Sequence, residues 1–202
     1  MKFNFDKDKL FFTADPHYFH HNIIKFCNRP FKNVEEMNST LIKNWNSVVP
    51  KDGVTFLLGD VGFGSASDLR KIIDQLNGKI FLINGNHDNP AKNDLCIKRF
   101  EQFNVANDER WKDYFELKVE DKDAPRGVQT IVLFHYPILE WNGKFHGYWH
   151  THGHSHNNIH KSNFGEDYYR NKVIDVGVDG NNYAPLSYQN MKDIMDSKGI
   201  IK

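Results

Sequence analysis

Seven side chains in this 202-residue chain carry the oxygen and imidazole donors that two divalent cations sharing one carboxylate require. They are Asp15, His17, Asp60, Asn86, His135, His154 and His156. They lie in five short stretches, T-A-D-P-H (13–17), L-L-G-D-V-G (57–62), I-N-G-N-H-D (83–88), L-F-H-Y-P (133–137) and T-H-G-H-S-H (151–156). Two cations held ~3.5–4 Å apart by one carboxylate acidify a water between them into a hydroxide nucleophile near neutral pH. Donors of this kind suit Mn, Fe, Zn or Ni, and the residue types do not select among them. A lone Asp or His after a strand reads most simply as a loop residue. Seven in five ordered motifs read as a site. The alternation His154-Ser155-His156 fits an extended segment or a tight turn, so spacing alone does not put those two rings on one face.

The elements that must position these residues alternate along the chain. Leu10 to Ala14 reads as a short buried strand. Val34, Met37, Leu41, Trp45 and Val48 recur at intervals of three and four, as one face of a helix does, and Asn33 with Glu36 approximates its capping box. Val54 to Leu58 is the next strand, Ser67 to Leu76 the next helix, ended by Gly78, and Ile80 to Ile83 the third strand. This β-α-β-α-β order is typical of a parallel sheet. Asn89-Pro90 opens a further helix. Tyr114 to Glu120 and Val128 to Phe134 form an antiparallel hairpin, Lys172 to Val176 is a last strand, and Ser187 caps a terminal helix running to 197–199. In open α/β sheets ligands collect beyond the strand ends. Asp15, Asp60 and Asn86 follow predicted strands closely, so the motifs gather at one rim.

The motif series D-x-H, G-D, G-N-H-D, a lone His and G-H-x-H, present here without substitution, resembles the calcineurin-like metallophosphoesterases. The resemblance covers roughly residues 10 to 180, which makes 1–202 a single domain of that kind. The segments H-H-N-I-I-K-F-C-N-R-P-F (20–31) and V-G-V-D-G-N-N-Y (176–183) are similar to a small bacterial and phage branch of predicted phosphoesterases. The family implies an α/β fold in which two mixed sheets pack together with helices outside, a four-layer α/β/β/α sandwich. It implies that Asp60 bridges two cations, that Asp15, His17 and His156 complete one site, and that Asn86, His135 and His154 complete the other. It makes His87 the general acid that protonates the leaving oxygen, with Asp88 orienting it. The activity implied is hydrolysis of a phosphoester with two divalent ions, Mn favoured. A small phosphodiester, such as a cyclic nucleotide or short oligonucleotide, is the preferred substrate, because the chain is short and shows no capping domain. A phosphomonoesterase acting on nucleotides or phosphoproteins, a nuclease, and a non-enzymatic metal-binding scaffold are the alternatives. An intact ligand set and His87 weigh against the scaffold.

Other residues carry weaker signals. Lys25, Arg29 and Lys32 form a small basic cluster in which Arg29 either clamps a substrate phosphate bidentately or belongs to a solvated loop. His20 and His21 fit surface or helix-start roles better than substrate contact. His146, His150, His152 and His160 crowd the last motif by sequence proximity alone. Asn181, Asn182 and Tyr183 line the cleft or simply shape a turn.

Composition fits a globular domain with a sizeable core, and the formal net charge is zero. That balance argues against strong binding to long nucleic acid, which needs many Lys and Arg contacts to phosphate. Cys27 and Cys96 make neither a disulfide framework nor a C-x-x-C site, the N-terminus lacks an apolar signal core, and no apolar run approaches the ~20 residues of a membrane span. A reducing, cytoplasmic setting without membrane association is the expectation.

Overall fold

A computed structural model describes residues 5–158 and 167–200. Its first sheet has the order β4-β3-β2-β1-β9, with β1 at Leu10–Thr13, β2 at Val54–Leu58, β3 at Lys79–Ile83, β4 at Trp111–Lys112 and β9 at Leu186–Ser187. The first four strands run parallel and β9 runs antiparallel to β1. The second sheet, β5-β6-β7-β8, comprises Tyr114–Glu120, Val128–Phe134, Trp149–His152 and Val173–Asp175. Its β5 and β6 form the expected antiparallel hairpin, while β6, β7 and β8 are parallel. Both sheets are therefore mixed.

Strand alternation assigns the side chains to layers. Leu10, Phe12, Ala14, Phe56, Leu58, Phe81 and Ile83 face Leu117, Val119, Ile131, Leu133, Trp149 and Ile174 of the second sheet. The register aligns Phe12, Phe56 and Phe81, whose rings stack at 5.9 and 5.1 Å across the three central strands. Each such buried side chain contributes roughly 1.5–3 kcal/mol of transfer free energy. Phe11, Leu57, Ile80 and Leu82 point the other way, onto α2 (Val34–Val48) and α3 (Ala66–Ile73). The last helix, α5 (Tyr188–Asp196), inserts Tyr188, Met191 and Met195 into the core between the sheets. The outer face of the second sheet is covered by Trp141 and Tyr168, with Ile138, Tyr148 and Tyr169 beside them, so among the described residues this fourth layer is built from loops and 3-10 turns.

Local signals in the sequence mostly do what they indicate. Asn33 accepts from the Glu36 N–H, and Glu36 reaches back to the N–H of Lys32, closing the start of α2. The buried stripe is Val34, Met37, Leu41 and Trp45, but Val48 is exposed. Val49 takes the buried position because the chain leaves the helix there. Ser65 caps α3 one residue earlier than expected, and Ser187 caps α5. Asn89-Pro90 does not open a helix. The chain turns there, Lys92 N–H bonding to the Asp88 carbonyl, and the short α4 (Asp94–Ile97) starts from Asn93. No helix among the described residues is long and apolar enough to cross a membrane.

Candidate metal centre

The parallel strands of both sheets release their motif loops at a common edge. Beyond β1 and β2 the backbones stay paired, with Asp15 N–H on the Gly59 carbonyl, His17 N–H on Asp60 and Tyr18 N–H on Val61. Beyond β6 and β7, Gly153 N–H bonds the His135 carbonyl. The two sheets meet at this edge through a bridge between Ala14 and Gly177. Five of the seven donor residues, Asp15, His17, Asp60, His154 and His156, hold positive φ between 48° and 66°. A non-glycine residue in that region costs on the order of 1–2 kcal/mol, and such strain is held only where neighbours fix the backbone. Asp175 is one such neighbour. Its carboxylate accepts from Ser155 Oγ and the Asn157 and Gly177 N–H groups, pinning the last motif loop.

Gly59 is required by the same crowding. It has φ +84°, and a Cβ there would lie 2.5 Å from Gly85 Cα and 2.7 Å from His135 Nδ1. Gly59→Ala should therefore destabilise the protein by at least ~2 kcal/mol, because the added atom meets backbone in a conformation L residues avoid. Urea unfolding measures this, and a change below ~0.5 kcal/mol would show that the two loops are not packed as described.

All seven donors converge in two groups. Asp15, His17 and His156 offer ligand atoms within 4.8 Å of one another, as do Asp60, His135 and His154. Asn86 Oδ1 joins the second group, 3.0 Å from His135 Nε2 and 3.1 Å from His154 Nδ1. Asp60 faces both: Oδ2 lies 3.5 Å from His17 Nε2 and Oδ1 lies 3.7 Å from His135 Nε2. Asp15 Oδ1 and both ring nitrogens of His17 are buried without a hydrogen-bond partner. Buried polar groups are otherwise almost always satisfied, so these orphaned atoms fit a cation as their missing partner. His135 Nδ1 bonds the Leu58 carbonyl, which leaves Nε2 turned toward the centre. Asn86, His87 and His154 are exposed, so the centre opens to solvent.

Electrostatics agree with a site lacking positive charge. Burial holds the Asp15 carboxyl well above the ordinary carboxylate range. Burial and the surrounding cationic groups push the His17 imidazole far down. For His156, burial alone would lower the pKa, but the bond to Asp179, the Cys27 thiol and Asp15 outweigh it and raise the imidazole to about 10. Cations must therefore displace protons, and their binding should tighten as pH rises. The sign for stability is the same. With folded pKa values above the unfolded ones, Asp15 and His156 stabilise the metal-free protein at low pH, and the His156 contribution fades between pH 6.5 and about 10. Metal should raise the melting temperature more at pH 8.5 than at pH 6. A thermal shift series with chelator and with Mn checks this, and a metal-induced gain that shrinks with pH would contradict it.

Two residues do something other than the sequence indicates. Asp88 is buried, and its oxygens accept from the backbone N–H groups of Gly85, Asp60 and Val61 at 2.7, 3.1 and 2.8 Å. It ties the second motif loop to the third, and none of its described hydrogen bonds goes to the His87 ring. Arg29 is not a substrate clamp. Its side chain is fully buried, and its guanidinium donates to Asp179, the Asp15 and Pro16 carbonyls and Met37 Sδ. Lys25 and Lys32, its basic neighbours in sequence, are exposed.

His87 belongs to neither donor group. Its backbone N–H bonds Asp60 Oδ1 at 2.9 Å, which places it at the rim of the centre. Beside it lies an aromatic ledge that the motifs did not reveal. Phe63 is 43% exposed, with its ring 4.7 Å from His87 and 4.0 Å from His20, and His20 in turn meets the exposed Phe26. Across the centre, Tyr136 packs edge-on against His154 at 4.7 Å. His20 occupies the N-cap position of α1 (His21–Phe26), the helix-start role read from the sequence, and its ring also lies beside the site. The available signal was an aromatic directly after the G-D-V-G turn. His150 and His152 point to the outer face of the second sheet, near Trp141 and Tyr169, and His160 lies outside the described residues. Asn181 closes its own turn on the Asp175 and Gly177 carbonyls, and Tyr183 packs on Phe31, so both serve the turn and the core.

The chain is similar to known proteins in sequence and in fold. The family model for calcineurin-like phosphoesterases matches residues 9–195. An uncharacterized protein of Methanocaldococcus jannaschii is 34% identical over 200 residues, covering 96% of this chain and 95% of its own length. The Gene 66 protein of Mycobacterium phage L5 is 38% identical over 82 residues, 39% of each chain. A crystal structure of a protein of unknown function from Aquifex aeolicus superposes with a TM-score of 0.63 at 25% identity, covering 92% of this chain and 98% of that one.

Proposed function

Because this chain belongs to the calcineurin-like phosphoesterases, whose activity is metal-dependent phosphoester hydrolysis, we propose that it is a two-metal phosphodiesterase acting as one domain on a small, nucleotide-like diester. The observation that carries the reading is the pair of donor groups that face opposite oxygens of Asp60. Asp15, His17 and His156 hold one cation, and Asn86, His135 and His154 hold the other. Manganese is the favoured ion. Bound there, the cations supply the Lewis acidity that makes water nucleophilic near neutral pH and offset charge on the phosphoryl oxygens. His87, standing free at the rim, gives its imidazolium proton to the departing oxygen. Asp60 and Asp88 fix the His87 backbone and the loops around it, so the acid is positioned by main-chain bonds.

The preference for a diester with a planar leaving group is supported by the ledge beside His87. A group leaving from the acid's side meets Phe63, His20 and Phe26. Stacking of a base on an aromatic side chain is worth ~1–3 kcal/mol. Phe63→Ala should then raise KM for a dinucleotide or nucleoside diester by roughly 5- to 150-fold and leave a methyl-leaving diester nearly unchanged. Equal effects on both would remove the ledge from substrate binding. The overall test is a screen of purified protein, with Mn and then Ni, against cyclic nucleotides, dinucleotides, nucleoside monophosphates, phosphopeptides and single-stranded DNA. Faster turnover of monoesters than of diesters would overturn the diester preference, and no turnover of any ester with both metals bound would favour a binding scaffold.

A further inference from the structure

A buried Arg29–Asp179 pair lies directly behind the Asp15–His17–His156 group. Its guanidinium holds both oxygens of Asp179, Nε on Oδ1 at 2.7 Å and Nη2 on Oδ2 at 2.8 Å. Asp179 Oδ2 also accepts from His156 Nδ1 at 2.7 Å. The remaining donors of the same guanidinium bond the Asp15 carbonyl at 2.8 Å and the Pro16 carbonyl at 2.9 Å. One buried side chain thus joins the loop that carries Asp15 and His17 to the side chain that orients His156. All three ligands of one donor group hang on this connection. Among the described residues the other group shows no such carboxylate partner: His135 Nδ1 bonds a neutral carbonyl, and His154 Nδ1 faces the Asn86 amide oxygen.

We propose that Arg29 and Asp179 are positioning residues that set the metal affinity of the Asp15–His17–His156 site alone. The inference rests on the two-metal reading above. Two physical effects act together. The bond from Nδ1 to a carboxylate fixes the His156 tautomer with Nε2 free for a cation and raises the basicity of the ring. The guanidinium fork holds that carboxylate in place and its positive charge offsets that of Asp179, so the second effect is a fixed orientation and not added negative charge. Arg is needed for this geometry, since a Lys ammonium cannot grip two carboxylate oxygens and two carbonyls from one planar group.

The test measures metal, not turnover. Calorimetric titration of chelator-treated protein with Mn should resolve two events in the parent. In Asp179→Asn the tighter event should weaken by ~10- to 100-fold, the usual consequence of losing such a partner, while the weaker event keeps its affinity. Arg29→Lys should behave in the same way. Because either change disrupts a buried ion pair on which folding also depends, the parent is also examined by long-range nitrogen–proton NMR of its histidines after loading with Zn. His156 should carry its proton on Nδ1 and its metal on Nε2. Parent-like affinity at both sites in folded Asp179→Asn, or a His156 metallated on Nδ1, would overturn the proposal and leave the two-metal reading intact. A parent that binds no Mn or Zn would overturn both.

Discussion

Asp60→Asn should lose at least one of the two cations and at least ~10³-fold in turnover. Among the described residues Asp60 is the side chain that faces both donor groups, with Oδ2 toward His17 and Oδ1 toward His135. An amide presents one neutral oxygen in place of two charged ones, so at most one site keeps a ligand from this position. The expected loss follows from removing metal-ion stabilisation worth several kcal/mol of barrier, each 1.4 kcal/mol being tenfold in rate. The fold should survive the change in metal-free form, because the strand cores on either side of the loop do not depend on that carboxylate. Metal content by plasma emission, beside circular dichroism, separates lost metal from lost fold. A variant that retains two equivalents of Mn would contradict the bridging role.

His87→Ala should show the opposite pattern, with near-normal metal content and a kcat reduced by ~10²–10⁴ on a substrate with an alkoxide leaving group. The side chain lies outside both donor groups, so its loss removes a proton donor and no ligand. A nitrophenolate leaves without protonation, and for that substrate the defect should be much smaller. Dependence on the leaving-group pKa is therefore the diagnostic. Loss of metal in this variant, or a defect of equal size on both substrates, would remove His87 from the role of acid. Substitutions at Asp88 should instead act through stability and loop position, since its carboxylate is occupied by three backbone N–H groups.

The sequence exposes the seven donor residues because metal ligation would demand particular residue types at the ends of apolar runs, and such strands are legible from local pattern. Hence Asp15, His17, Asp60, Asn86, His135, His154 and His156 are legible as candidate donors, and the structure brings them into two groups. Periodicity likewise reveals α2 and the hairpin of β5 and β6. It does not reveal β7, whose W-H-T-H carries two histidines that fit burial only because Trp141 and Tyr169 lie over them. Long-range partners were invisible for a related reason. Arg29 and Asp179 are separated by 150 positions, and nothing local marks an arginine as buried and fully bonded rather than solvated. Adjacency in sequence misleads at Asp88, which follows His87 directly yet bonds across to the loop of Asp60 and Val61. The second sheet came from the family resemblance, since no periodicity states which strands pair.

The central claim is that two cations share Asp60. Anomalous diffraction at the manganese edge, from crystals of chelator-treated protein soaked in Mn near pH 8, tests it most directly. The account predicts two peaks ~3.5–4 Å apart, one on each side of the Asp60 carboxylate, the first beside Asp15, His17 and His156 and the second beside Asn86, His135 and His154. A single peak, or two peaks that leave Asp60 uncoordinated, would contradict it.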